Sequence, residues 1–197
     1  SARALATAPE RPRRSLLFLA VTAEERGLLG SQHFANHPPP GLGRLVANVN
    51  LDMPLFLFPV ADVVAFGAEH SSLAEPAARA ARAAGFELGP DPFPEEVIFV
   101  RSDQYSFVER GVPAVFFVPG FTSRDPQVDG GKTNRGFLST HYHEPSDEAS
   151  LPVDWPSAVR FLRANVLLLG DVAGADRAPE WKAGDFFGRT FGGKHSS

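Results

Sequence analysis

Short apolar runs, punctuated by Gly, Pro and acidic residues, set the rhythm of this chain. The run LLFLAV at 16–21 is apolar without alternation, which predicts a strand covered on both faces. Further strands are predicted at 45–51 (LVANVNL), 62–67 and 113–118 (PAVFFV), with a shorter one at 97–100. Helical signals lie between them. A short helix is expected at 31–36, stopped by Pro38, Pro39 and Pro40. Ser72-Leu73-Ala74-Glu75 has the form of a capping box, opening an Ala-rich helix that ends at Gly85. Ser102 is placed to cap a helix over 103–110 that Gly111 closes. Asp154 is placed to cap the last helix at 156–170, whose Val159, Leu162, Val166, Leu167 and Leu169 are expected on its core face. The stretch 119–140 is long, polar and Gly-rich, and reads as a functional or disordered loop. Alternating strands and helices predict an α/β fold, with three α/β/α layers around a mostly parallel central sheet.

The chain has 197 residues, 43% apolar, with a net charge of −4, which suits one globular domain with a real core. Residues 2–7 read as the end of a helix, and the breaker run 9–12 follows. The expected organisation is therefore a helix end and linker at 1–14, a domain body at 15–174, and a tail at 175–197. Trp181, Phe186, Phe187 and Phe191 make that tail too aromatic to be free, so part of it is expected to dock. The absence of Cys excludes disulfides and thiolate metal sites. Arg11, Arg13 and Arg14 form a weak basic patch on a slightly acidic chain, which gives no support for nucleic-acid binding. No apolar run approaches the ~20 residues of a membrane-spanning helix. The opening residues lack the apolar core of a signal peptide, so any targeting segment is expected upstream.

Three places carry chemistry. Glu24 and Glu25 follow the first strand, Asp52 follows the second, and THYHEPSDE occupies 140–148. In an open α/β sheet, ligands bind beyond the carboxyl ends of the strands. Zinc takes imidazole nitrogen and carboxylate oxygen, with an open position when the site is catalytic. A hydrolase also needs a base for the attacking water, so two adjacent glutamates can divide the work of ligand and base. His141 and His143 both face one side of an extended segment, and periodicity does not choose between them. His33 and His37 stand i, i+4, but Phe34 occupies the position where an HExxH site requires Glu, so this pair is read as surface. His70 is placed in the turn before the capped helix. No GxSxG elbow is present.

TAEERGLLGS, then NLDM, then RSDQYSF with GVPAVFF, then YHEPSDE together resemble the co-catalytic dizinc aminopeptidases, the leucyl aminopeptidase and glutamate carboxypeptidase II group. The motifs stand in the family's order and span 15 to about 170. KAGDFFGRTFGG is also similar to a tail of some bacterial members. The resemblance implies a zinc-exopeptidase-like α/β/α domain seen in its C-terminal portion, acting on peptide substrates with two zinc ions. It implies Glu24 as general base, Glu25 as ligand of one zinc and Asp52 as ligand of the other. His143 matches the final ligand, sharing its zinc with Glu25, and the Pro-Ser-Asp after it favours it over His141. Tyr142 matches a tyrosine that hydrogen-bonds the oxyanion. Asp147 is read as a turn or as a residue orienting nearby groups, Arg101 and Asp103 as a loop anchor or substrate contact. Phe121 and Phe137 are candidates for an apolar pocket.

The family also uses an upstream His and a bridging Asp, and none of the fourteen residues before Ser15 is either. The chain thus supplies three of five expected ligands and, alone, is expected to bind zinc poorly and hydrolyse little. A zinc aminopeptidase that is periplasmic or secreted is the leading expectation. The alternatives are a non-catalytic receptor or binding module on the same fold, and a single-zinc acyltransferase of the glutaminyl cyclase kind.

Overall fold

A computed structural model describes residues 1–193. The last four positions of the predicted tail, 194–197, lie outside the described residues. Four strands form one sheet: β1 (Asn48–Asn50), β2 (Asp62–Phe66), β3 (Glu87–Gly89) and β4 (Ala114–Pro119), in the order β1-β4-β2-β3. β1 runs parallel to β4, and β2 parallel to β3, while β2 and β4 are antiparallel. Alternation along the two central strands covers both faces. Val63, Ala65, Val115 and Phe117 enter one core, and Val64, Phe66, Ala114 and Phe116 enter the other. That two-sided burial is why these strands read as unbroken apolar runs.

The first core lies under α3 (Ala74–Ala83) and α6 (Trp155–Gly174). The predicted cap at Asp154 is present, accepting from Ser157 N at 2.9 Å. The predicted face of α6 is corrected: Val159 and Leu162 are 64% and 51% exposed, and Phe161, Ala164 and Leu168 point inward. α6 meets Ala77, Ala80 and Ala81 of α3, and close helix contact there selects small residues on both sides. The capping box at Ser72 does not form; the Ser72 hydroxyl accepts from Glu180 N instead.

The second core lies under α4 (Gln104–Val108) and α7 (Phe186–Phe191). The two helical layers and the sheet give the α/β/α architecture. Val97 takes φ 50°, so 98–100 forms a 3-10 turn and not the predicted strand. The loop predicted at 119–140 contains α5 (Gly130–Thr140), capped by the Asp129 side chain. The tail docks through Phe187, which is buried, and through Trp181, whose Nε1 donates to the Gly111 carbonyl at 2.8 Å. Asp185 accepts from His70 Nδ1 at 2.7 Å and caps α7. Phe186 stays 60% exposed.

The largest correction concerns 16–21. The segment belongs to no strand among the described residues, and Leu17, Phe18 and Leu19 are 49%, 50% and 41% exposed. A groove of about 640 Å³ separates it from the free edge of β1, with Leu16, Phe18, Val49 and Asp103 among its walls. α1 (Ala2–Ala6) precedes it. Arg14 ties the junction to α6 by donating to the carbonyls of Val172, Ala175 and Asp176 at that helix's C-terminal end, where cations are favoured.

Candidate active site

Glu24–Arg26 form one 3-10 turn, entered through Ala23 at φ 58° and left through Gly27 at φ 96°. The turn passes into α2 (Leu29–Asn36) at Leu28, φ 59°. Gly30 allows the helix to cross the incoming chain: a Cβ there would stand 2.4 Å from the Thr22 carbonyl oxygen. Gly30 N donates to that same oxygen at 3.0 Å. The two glutamates are thus fixed at one end of α2. The other end of the site is the turn after α5, where His143 takes φ 61°. The chain there is not the extended HYH of the sequence reading, which is how the two histidines come to face different partners.

His143 Nε2 donates to Glu25 Oε1 at 2.6 Å, across 118 positions of sequence. The Tyr142 hydroxyl donates to the same oxygen at 3.4 Å, and its ring stacks on His143 with centroids 3.7 Å apart. His141 turns away, its Nδ1 2.9 Å from the Ser146 hydroxyl. The Glu25 and His143 side chains are 64% and 55% exposed. A pair that exposed contributes little to stability. Of the non-glycine residues with positive φ, Ala23, Leu28, Met53 and His143 all adjoin or belong to the site. Each such conformation costs on the order of 1 kcal/mol, and such strain gathers where side chains must be aimed.

Glu24 lies among like charges. Burial raises its pKa, as do Glu25, Asp52 and Asp103, with His143 acting the other way. Burial and the neighbouring Glu25 and Glu24 also raise the Tyr142 phenol, keeping it a donor. Asp52 follows β1 and accepts from the Ser102 hydroxyl at 3.0 Å. Asp103 Oδ1 is buried without a hydrogen-bond partner.

The structure therefore brings Glu25, His143 and Tyr142 into contact and sets Glu24 and Asp52 within electrostatic reach of one another. It does not gather three metal-type side chains around one point among the described residues. The donors are still chemically apt for divalent cations. Imidazole nitrogen meets carboxylate oxygen, and a cluster of mutually repelling carboxylates, one with an orphaned buried oxygen, is what a cation would neutralise.

A model of peptidase family M28 matches residues 1–169. The chain belongs to peptidase family M28. Members of M28 are generally zinc-dependent. Among solved structures, the chain is similar to the aminopeptidase from Aneurinibacillus sp. strain AM-1, at 20% identity and a TM-score of 0.49. That similarity covers 82% of this chain and 34% of the other, so the chain spans about a third of that protein's length. No curated protein matches the chain.

Of the remaining sequence candidates, Ser102 and Asp103 adjoin Asp52 and Glu24, and the others make their contacts elsewhere. His33 and His37 are exposed and stacked on each other at 5.0 Å. Arg101 pairs with Glu96 at 2.7 Å, and Asp147 sits in an exposed turn. Ser102 does not cap α4; its hydroxyl serves Asp52. Phe137 packs against His141, and Phe121 against Phe93. Sequence reasoning missed Ser102, Asn50 and Gln104 as site neighbours. All three lie inside the quoted NLDM and RSDQYSF motifs, and Gln104, at 0% exposure, is a buried amide that has to find partners.

Proposed function

We propose that residues 15–174 are the C-terminal portion of the catalytic domain of a zinc-dependent exopeptidase, an aminopeptidase that releases N-terminal residues from peptides. The observation that carries this reading is the 2.6 Å meeting of Glu25 and His143 beside the crowded Glu24. Glu25 and His143 would hold one zinc and Asp52 the other, with further donors supplied by residues outside this chain. Bound zinc lowers the pKa of a water molecule and polarises a carbonyl. Glu24 takes the proton from the attacking water and delivers it to the leaving amine; its raised pKa suits a base that must also give the proton back. Tyr142, held as a protonated phenol, donates to the developing oxyanion.

Metal analysis and peptide hydrolysis by the full-length protein, with and without Glu24→Gln, test this. Zinc is expected in both forms, with hydrolysis lower in the variant by about 10²–10⁴-fold, the usual worth of a general base. Absence of zinc from both forms would favour a binding module on the same fold. That second reading draws on the lack of a three-donor cluster among the described residues.

A further inference from the structure

Asp52 is the end of a hydrogen-bond chain that begins at a backbone carbonyl. Gln104 Nε2 donates to the Phe99 carbonyl at 2.7 Å. Asn50 Nδ2 donates to Gln104 Oε1 at 2.7 Å and to Ser102 Oγ at 3.1 Å. Ser102 Oγ donates to Asp52 Oδ2 at 3.0 Å. The direction of every link follows from the first. A carbonyl only accepts, so the Gln104 amide must turn its nitrogen toward Phe99 and leave Oε1 facing Asn50. Oε1 only accepts, so Asn50 must present its nitrogen, whose second proton goes to Ser102. The Ser102 oxygen then receives one proton and sends its own to Asp52. A hydroxyl is ordinarily a free rotor; here its rotation is set three residues away.

We propose that Asn50 and Gln104 are positioning residues that fix the direction of the Ser102 O–H bond and thereby the orientation of the Asp52 carboxylate. The two amides occupy different elements: Asn50 ends β1, and Gln104, fully buried, begins α4. The relay pins the 99–104 segment to the sheet at the strand end from which Asp52 projects. One Asp52 oxygen is committed to Ser102, which leaves the other without a claim from this relay. The purpose of that arrangement rests on the zinc reading of Asp52; the relay itself does not.

Two measurements separate these. In the unaltered, metal-free chain, neutron diffraction or NMR locates the Ser102 hydroxyl proton and the carboxamide protons. The proposal expects the hydroxyl proton on the Asp52 side and the Asn50 amide donating to Ser102. A hydroxyl proton pointing at Asn50 or Gln104 overturns it, whatever metals do. In the zinc-loaded full-length protein, Ser102→Ala, Gln104→Met and the pair are compared by zinc dissociation constant and by melting temperature. Gln104→Met is expected to weaken zinc by roughly tenfold, the lower end of the effect of outer-shell partners. It is expected to weaken it no further in the Ser102→Ala background, because the hydroxyl it acts through is gone. Equal melting shifts in both backgrounds with zinc affinity unchanged would reduce the amides to packing and overturn the proposal. If Gln104→Met fails to fold, Asn50→Leu takes its place in the same cycle. A full-length protein that binds no zinc sinks the exopeptidase reading but leaves the proton positions to decide the relay.

Discussion

Two regions of this molecule use apolar residues in opposite ways. In β2 and β4 each inward side chain meets another layer: Val63, Val115 and Phe117 are fully buried, and Phe117 stacks on Phe161 at 5.6 Å. Across 15–23, which leads to the turn of Glu24 and Glu25, equally apolar residues stand about half exposed beside a groove and the free edge of β1. The difference is one of partners, not of propensity. A strand's hydrogen bonds are made by its neighbour, so an apolar run without one forms no strand. Fold stability is therefore concentrated in the sheet, and the candidate site hangs on its less supported margin.

Substitution breaks the comparison most sharply at its centre. Phe117→Ala is expected to cost about 3–5 kcal/mol, measured by denaturant unfolding. Phe18→Ala should cost less than about 1 kcal/mol in the same assay, since half of that ring is already in water. Comparable losses at the two sites would show that 16–21 is as firmly packed as the sheet. Trp181→Phe lies between: it deletes the bond to the Gly111 carbonyl but keeps the packing, for about 1 kcal/mol.

Acid tests the tail's attachment. Burial pushes Asp185 up, but hydrogen bonds from His70, Gly188 and Phe187, with the His70 charge, outweigh it and leave the pKa below its ordinary value. A depressed carboxylate contributes stability that is complete above its unfolded pKa and lost as pH falls through the folded one. Trp181 fluorescence should hence report tail loosening only below the ordinary carboxylate range, and Asp185→Asn should remove that acid dependence. A tail that loosens near neutral pH would assign the latch to another group.

The smallest expected effect has the opposite sign. Glu24 is raised by burial and by its acidic neighbours, so its charged form strains the fold at neutral pH. In the metal-free chain Glu24→Gln should raise stability, by no more than about 0.5 kcal/mol. A loss of stability would mean that the crowding is already relieved.

Much of the core was legible, and so was the meeting of Glu25 with His143, for reasons that also explain the misses. β2 and β4 are recognisable because burial on both faces leaves no polar position at 63–66 and 114–118. The Asp154 cap is recognisable because it is local. The inward face of α6 was not, since Ala158, Ala164, Ser157 and Asn165 share it with Phe161 and Leu168 where α3 comes close, and apolar residues such as Val159 and Leu162 remain outside. α5 was hidden by Gly130, Gly131 and Gly136, whose low helix propensity is overridden by a capped first turn and burial of Phe137. Glu25 and His143 were matched to one zinc through their motifs, but Ser102, Asn50 and Gln104 show their role only once β1 and α4 are side by side.

At Gly30 the helix and the approach to the twin glutamates cross with less room than one methyl group. The same hydrogen atom thus answers to two demands. A variant there would disturb the fold and the aim of Glu24 and Glu25 together, and a library screened on either trait would return glycine without revealing which had chosen it.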